Sequence, residues 1–432
     1  MGETMTAAQA PRRASPTPIP DHVPADLVID PTPYLPRLNA EVDPFRGTDG
    51  MLDALPRIFY TNKLQAGSLF DSAWVVTRYK DLMEVFRNEA ALYSVGEAVF
   101  FHRLVGETFT MIPLGVDPPD HAKYRIFLTP WFTPKAVTKM EAGIRAAINE
   151  LIDAFEDKGE CDVAYDFGRL FPVRIFLDLM GFPRNMIDEF LTWEYAILHS
   201  RGDAERVKWG MGAALAWVRE FIEHTKANPN DSLTSYIVHG DIRGVPLTDD
   251  EVIGMVAFLW IAGLDTVAAT TALMFRRLAL EPDLQQRLRD APELIPAAVD
   301  EFLRMQPLVN VPRLVKQDHE LAGVKMKEGD RIFCFFSSGN FDPEMFESPR
   351  EFRFDRNPDR HFTLGGGPHV CLGKHLARRE LRIALSEFLR RIPRFSMKPD
   401  ADLEAFPGLM AVGHVPLVWN AGTSGTGAPS DR

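Results

Sequence analysis

The stretch GGGPHVCLG, Gly365 to Gly373, decides how this chain is read. Three glycines, a proline and a histidine lead into a single cysteine, Cys371, and Gly373 follows two residues on. Directly behind it, LGKHLARRELRIALSEFLRRI (372–392) repeats its apolar residues at helical spacing. A cysteine before a helix lies where free backbone N–H groups and the positive end of the helix dipole converge. That position predicts a lowered thiol pKa and a thiolate. Glycine has no Cβ, so the backbone around the sulfur can approach a flat ligand closely. By itself the stretch leaves three readings open: a nucleophile, an axial metal ligand, or an inert buried cysteine.

Three patterns upstream narrow the choice. Ala262-Gly263-Leu264-Asp265-Thr266 places a glycine, an acid and a hydroxyl inside an otherwise apolar helix predicted over roughly 248–280. A glycine there costs about 1 kcal/mol against alanine, and a buried aspartate costs more unless it is paired. Residues that break the local rule in this way mark function. The helix is expected to open at Thr248, with Asp249, Asp250 and Glu251 in its first turn, where the dipole favours negative charge. A second helix, over about 292–305, carries Glu301 and Arg304 three apart on one face. FRFDR (352–356) ends on Arg356, fifteen residues before Cys371. Elsewhere SAWVVTRY (72–79) reads as a strand running into the helical KDLMEVFRN. Lys135 to Asp157 is helical, with Ile144, Ile148, Leu151, Ile152 and Phe155 on one side, and RIFCFFSSGN (331–340) reads as a strand.

The 432 residues are 46% hydrophobic and 25% charged, ordinary for a globular chain with a large core, and no break in composition marks a second domain. One domain over 26–421 is expected, between a proline-rich arm (1–25) and a Gly/Ser/Thr-rich tail (422–432), both loosely ordered. The net charge of −12 opposes a general nucleic-acid-binding role. Cys161, Cys334 and Cys371 are odd in number and share no CxxC spacing. This argues against a disulfide framework or structural zinc and for a reducing cytoplasm. The first 25 residues hold no apolar run suited to a signal sequence or membrane span.

Taken in this order, AGLDT, ExxR, the upstream arginine and GxxxCxG resemble the cytochrome P-450 family of haem-thiolate monooxygenases. HVPADLVID (22–30), DPPDHAKYR (117–125), GLDTV (263–267), CLGKHLARRE (371–380) and IPRFSM…PLVW (392–419) are similar to its bacterial camphor-monooxygenase branch. The resemblance implies a mainly α fold with small β-sheets, a single haem-binding domain, and haem b (iron protoporphyrin IX) held between the helix carrying Thr266 and the one after Cys371. It implies that Cys371 is the axial thiolate and that His121, Arg125, Arg313 and His369 hold the haem propionates. Leu364, Gly365, Gly367 and Gly373 would shape the loop against the haem. Asp265 and Thr266 would manage the protons needed for O2 activation, and Glu301, Arg304 and Arg356 would form a buried ion network behind the haem. The implied substrate wall is Phe100, Phe109, Met111, Phe258, Ile261, Ala262, Leu409 and Met410.

Three positions depart from the branch. Leu364 stands where the family carries phenylalanine, and Val311 where the camphor enzymes carry an acid. Phe109 stands where a tyrosine hydroxyl holds the camphor ketone. A buried ketone left unpaired costs about 1–3 kcal/mol, so camphor is demoted as substrate. An apolar, methionine-containing wall suits a terpenoid-sized molecule, and relatives in the family accept norisoprenoids such as ionones. The chain shows no flavin or nicotinamide module and no cysteines for an iron–sulfur cluster. The resemblance therefore implies electrons from NADH through a ferredoxin reductase and a 2Fe–2S ferredoxin, with Arg125, Lys374, Arg378 and Arg379 facing that acidic partner. A monomer with no membrane or nucleic-acid partner is expected. Against this stand a peroxide-driven peroxygenase and a haem sensor, neither of which accounts as well for Asp265–Thr266. A haem-free cysteine hydrolase, with His369 or His375 as base, leaves GLDT and ExxR unexplained.

Overall fold

Helical periodicity becomes helix along most of the chain. The computed structural model describes residues 18–29, 55–62, 72–95, 101–200, 203–401, 405–406 and 411–420. Its principal helices are α1 (Tyr79–Arg87), α2 (His121–Phe132), α3 (Pro134–Asp153), α4 (Leu170–Met180), α5 (Ile187–Leu198), α6 (Ala204–Ala227), α7 (Asp249–Leu264), α8 (Thr266–Leu280), α9 (Ile295–Met305) and α10 (Lys374–Arg391). The sheets are small, as expected. The largest has five strands, β1 (Ile58–Thr61), β2 (Ala73–Val76), β3 (Tyr93–Ser94), β4 (Val311–Val315) and β5 (Arg331–Cys334), in the order β1-β2-β5-β4-β3. Only the β2–β5 pair is parallel. Phe100, Leu409, Met410, residues 1–17 and the tail from 421 lie outside the described residues. The rest of the predicted arm is not loose: Val23 is buried, and His22 Nε2 lies 2.9 Å from Asp330 beside the main sheet.

Several element ends differ from the sequence expectation, each for a local reason. α3 starts where Thr133 Oγ1 accepts the Ala136 N–H at 3.2 Å and Pro134 occupies the first turn. It stops at Asp153, four residues early, and a short 3₁₀ turn ends on Gly159 at φ 76°. The strand expected over 72–79 shortens to β2, because the chain enters α1 at Tyr79. RIFCFFSSGN likewise divides into β5 and one helical turn, Phe336–Gly339. The helix expected from 292 begins as a 3₁₀ turn, Pro292–Leu294, before α9.

The long apolar helix is two helices. α7 opens on a capping box: Thr248 Oγ1 accepts the Glu251 N–H, and the Glu251 carboxylate accepts the Thr248 N–H at 2.8 Å. It ends at Asp265, and α8 continues from Thr266. The span Asp249–Leu280 is long and apolar enough to cross a membrane, but 78% of its most apolar window is buried in the protein, so it is a core element. Gly263 has a packing reason inside it. A Cβ there would collide with the Phe176 ring, so the missing side chain is what lets α4 and α7 approach.

Behind α9 the predicted ion network is present and reaches further than its three charges. Glu301 and Arg304 are each 2% exposed and form a two-pronged pair, both contacts 2.8 Å. Arg356 Nε adds a third contact to Glu301 Oε1 at 3.1 Å. Arg304 also donates to the Asn340 and Pro349 carbonyls, both at 2.7 Å. Asn340, buried, returns the contact to the Arg304 carbonyl and then reaches Thr363 Oγ1 and the Phe362 N–H. The pair thus fixes the start of the loop that leads to Cys371. Removing one partner of such a pair leaves a desolvated charge and costs about 3–5 kcal/mol. Glu301→Ala is expected to lose that much in urea unfolding, and a loss within the ordinary surface range of about 0.5 kcal/mol would show that the network does not hold the fold.

Candidate functional site

The loop from Leu364 to Gly373 is folded back on itself. The Cys371 N–H donates to the Leu364 carbonyl and the Gly365 N–H to the Phe362 carbonyl, both at 2.7 Å. Gly365 and Gly367 take left-handed φ values of 77° and 60°, which side chains resist. Gly366 and Gly367 have a second reason. A Cβ on either would come within 2.8 Å of Phe86, the ring at 366 and the carbonyl at 367. These glycines thus seat the loop on α1. Only Gly373 faces the sulfur, and a Cβ there would meet nothing closer than Cys371 Sγ at 4.0 Å.

The expected lowering of the Cys371 pKa is not found. α10 begins at Lys374, three residues on, so among helix-start donors only the Gly373 N–H reaches the sulfur. Burial pushes the thiol up, and that N–H together with Arg125, Arg378 and Lys374 only partly opposes it.

Around the loop lie polar groups without partners. His121 opens α2, and its ring lies 4.1 Å from that of His369. The Nε2 atoms of both are buried and make no hydrogen bond. Burial holds both imidazoles neutral, His121 at about 4 with Arg125 lowering it further, and His369 at about 3 with His121 lowering it further. Arg125, one turn along α2, is half-buried and pairs with no acid among the described residues; burial lowers its pKa. Arg313 differs from these in being paired. Its Nε donates to Glu89 at 2.6 Å, its Nη2 contacts the same carboxylate, and its Nη1 donates to the Pro312 carbonyl. It is already paired with a protein acid, unlike Arg125. Glu89, raised by burial against the pull of Arg313, went unnoticed in the sequence, being 224 residues from its partner.

On α7 and α8, Phe258, Ala262 and Thr266 follow at intervals of four and form a less buried stripe along a buried helix pair. Thr266 is exposed, and its hydroxyl turns to the Ala262 carbonyl at 3.4 Å. The remaining predicted wall residues are packed. Ile261 and Met111 are buried, and Phe109 stacks on His102 at 4.9 Å with Arg219 over its other approach. Asp265 reaches a different group: its Oδ1 lies 3.3 Å from His199 Nε2, which also lies 3.3 Å from Glu194 Oε1. These three line a cavity of about 280 Å³. Glu194 and His199 were also missed. Their one sequence signal is an acid and a histidine five apart in a helix whose Leu191, Ala196 and Ile197 are buried.

The cationic face expected for a partner is smaller than its sequence. Arg378 is buried against Asp300 at 2.6 Å and the Pro358 carbonyl, and Arg379 pairs with Glu141. Lys374 stays partly exposed.

Comparison with known proteins agrees with this geometry. The family model for cytochrome P450 matches residues 211–414. The chain is 34% identical to a probable cytochrome P450 127A1 of Sinorhizobium fredii, over 90% of this chain and 93% of that protein. It is 30% identical to the mycinamicin IV hydroxylase/epoxidase of Micromonospora griseorubida, over 81% and 90%. Among solved structures, cytochrome P450 CYP101C1 superposes with a TM-score of 0.80 at 32% identity, covering 93% of this chain and all of that one. CYP101J2 gives 0.79 at 29% identity, covering 94% of this chain and again all of that one. With the ExxR network, the cysteine loop and the interrupted helix already in place, these likenesses settle the family: the chain belongs to the cytochrome P450 monooxygenases, whose cofactor is haem b.

Proposed function

We propose that the Cys371 sulfur would bind the haem iron and that His121, His369 and Arg125 would hold its propionates. The observation that carries this is the set of unpaired groups beside the loop: two buried imidazole nitrogens without a hydrogen bond and a desolvated guanidinium without an anion. Buried donors are costly until they are satisfied, and a flat group with two carboxylates on one edge satisfies all three. The residues therefore fit the cofactor. Bound there, haem supplies a redox-active iron for O2 chemistry, and a metal-bound thiol is deprotonated outright, which offsets the burial that raises Cys371. Gly373 adds no side chain beside the sulfur, and Arg313 holds Glu89 behind the loop.

On the other side of the pocket, the Thr266 hydroxyl holds a proton donor at the exposed end of the stripe, and Asp265 connects it to the cavity beyond α7. Phe258 and Ala262 offer an apolar surface with no donor. The reaction supported best is insertion of one oxygen atom from O2 into a small hydrophobic terpenoid or norisoprenoid such as an ionone. The narrower likeness to the camphor-monooxygenase branch rests on DPPDHAKYR and CLGKHLARRE. Electrons come from NADH through a ferredoxin reductase and a 2Fe–2S ferredoxin that meets Lys374, and the enzyme works as a cytoplasmic monomer. A peroxide-driven reaction or a sensor role would leave Asp265 and Thr266 without work.

Titrating the ferric holoenzyme with β-ionone is expected to give a full Soret shift, and camphor a weak one. Phe109→Tyr restores a ketone donor and is expected to tighten camphor binding by roughly tenfold, the equivalent of about 1.4 kcal/mol. Tight camphor binding by the wild type would overturn the ionone assignment. Thr266→Ala is expected to go on consuming NADH while product falls about 10²-fold or more and hydrogen peroxide takes its place. A variant that still couples NADH to product would remove Thr266 from proton delivery.

A further inference from the structure

Behind Asp265 is a buried polar cluster that the oxygen-side pair does not use. His199 Nε2 can carry one proton, yet two carboxylate oxygens compete for it, Glu194 Oε1 and Asp265 Oδ1, each at 3.3 Å. Both contacts are long for a charge-assisted hydrogen bond, and only the one to Asp265 has hydrogen-bond geometry. Asp265 Oδ2 and Glu194 Oε1 are buried without a hydrogen bond. The Glu194 and His199 side chains are more than nine-tenths buried, so bulk water does not screen the competition. The cluster borders the cavity of about 280 Å³, and Tyr165 and His414, exposed and stacked on each other, mark its mouth.

We propose that Glu194 and His199 are positioning residues that carry protons from this cavity to Asp265. The step balances without a co-reactant. The imidazolium N–H of His199 passes its proton to Asp265 Oδ1, and a protonated Glu194 returns one to the same nitrogen. The net change is one proton moved from Glu194 to Asp265. Glu194 is recharged by water in the cavity, and Asp265, once neutral, is no longer held by the imidazolium charge. This rests on the reading of Asp265 and Thr266 as the proton-delivering pair.

The electrostatics place the ready exchange with solvent at Glu194 and keep His199 charged. Burial, then the charge of Asp265, pushes Glu194 up to about 7, so it exchanges protons near neutrality. Burial lowers His199, but the two carboxylates beside it outweigh this and raise it to about 10. The other groups facing the cluster are Arg169, which draws Glu194 down and stacks on Tyr165, Tyr195 beside His199, and Arg206 over Tyr195. His414 is turned away toward Asp162 at 2.6 Å.

The test uses holoenzyme Glu194→Gln, Glu194→Asp and His199→Gln beside the wild type and Thr266→Ala, with whichever of β-ionone and camphor shifts the Soret band. Product and hydrogen peroxide per NADH are measured in H2O and in D2O. Glu194→Gln and His199→Gln are expected to keep the Soret shift, lose product per NADH by about 10- to 100-fold and show a larger solvent isotope effect. Glu194→Asp, which keeps a titratable carboxyl, is expected to recover most of the loss. A readout apart from turnover is the pH dependence of urea unfolding. His199 stabilises the fold fully below its unfolded pKa and ceases to as pH rises through about 10. The wild type should therefore lose stability over that range relative to His199→Gln. Wild-type coupling and isotope effects in all three cluster variants, with Thr266→Ala uncoupled, would discard the relay and leave the monooxygenase reading intact. A coupled Thr266→Ala would remove the Asp265–Thr266 pair and the relay with it.

Discussion

The position of the cysteine depends on one buried guanidinium. Arg304 gives its donors to Glu301 and to the carbonyls of Asn340 and Pro349, so a helix, a turn and a long loop meet at a single planar group. Asn340 passes that constraint on, contacting the Arg304 carbonyl on one side and Phe362 and Thr363 on the other. Thr363 adds its own bond to the Leu303 carbonyl at 2.5 Å. From there the seven residues Leu364 to Val370 lead to Cys371. A charge pair at this depth adds little net stability compared with apolar packing. Its value here is geometric, because a fork of donors with fixed directions sets where the loop begins.

The two sides of the site handle charge differently. Beside the cysteine the structure collects donors without acceptors, namely His121, His369 and Arg125. Behind Asp265 it collects acids around one imidazole. The first arrangement favours an incoming anion. The second places one imidazole proton between two carboxylates. The interruption at Asp265 sends neighbouring side chains to different neighbours: Thr266 to the Ala262 carbonyl of α7, and Asp265 to His199 at the end of α5.

Short-range pattern made much of this legible. The cysteine loop, ExxR, the polar break in an apolar helix and the capping box at Thr248 each sit within a few residues, where spacing translates directly into geometry. What stayed hidden is long-range. Glu89 lies 224 residues from Arg313, and His199 lies 66 from Asp265. Nothing local in EYAILH says that its acid and histidine will meet the helix break. Local chemistry was also misweighted. At Cys371 burial dominates over the helix start, which lies three residues further on at Lys374. Gly263, Gly366 and Gly367 looked like room for a ligand or a cost to the helix, and they are contact points for Phe176 and Phe86.

That last feature bears on how such a loop can change over evolutionary time. The back of the loop is filled by Phe86, with no space for even a methyl group at 366 or 367. At 366 a side chain can enter only if the ring at position 86 shrinks in the same lineage, so those two sites should drift as a linked pair; at 367 the obstacle is the Phe86 backbone carbonyl, which no substitution at 86 removes. Gly373, with open space beside the sulfur, is under no such volume limit from the protein itself. Two glycines separated by six residues, alike in composition, thus answer to different selective pressures: one to a phenylalanine behind it, the other to whatever lies in front.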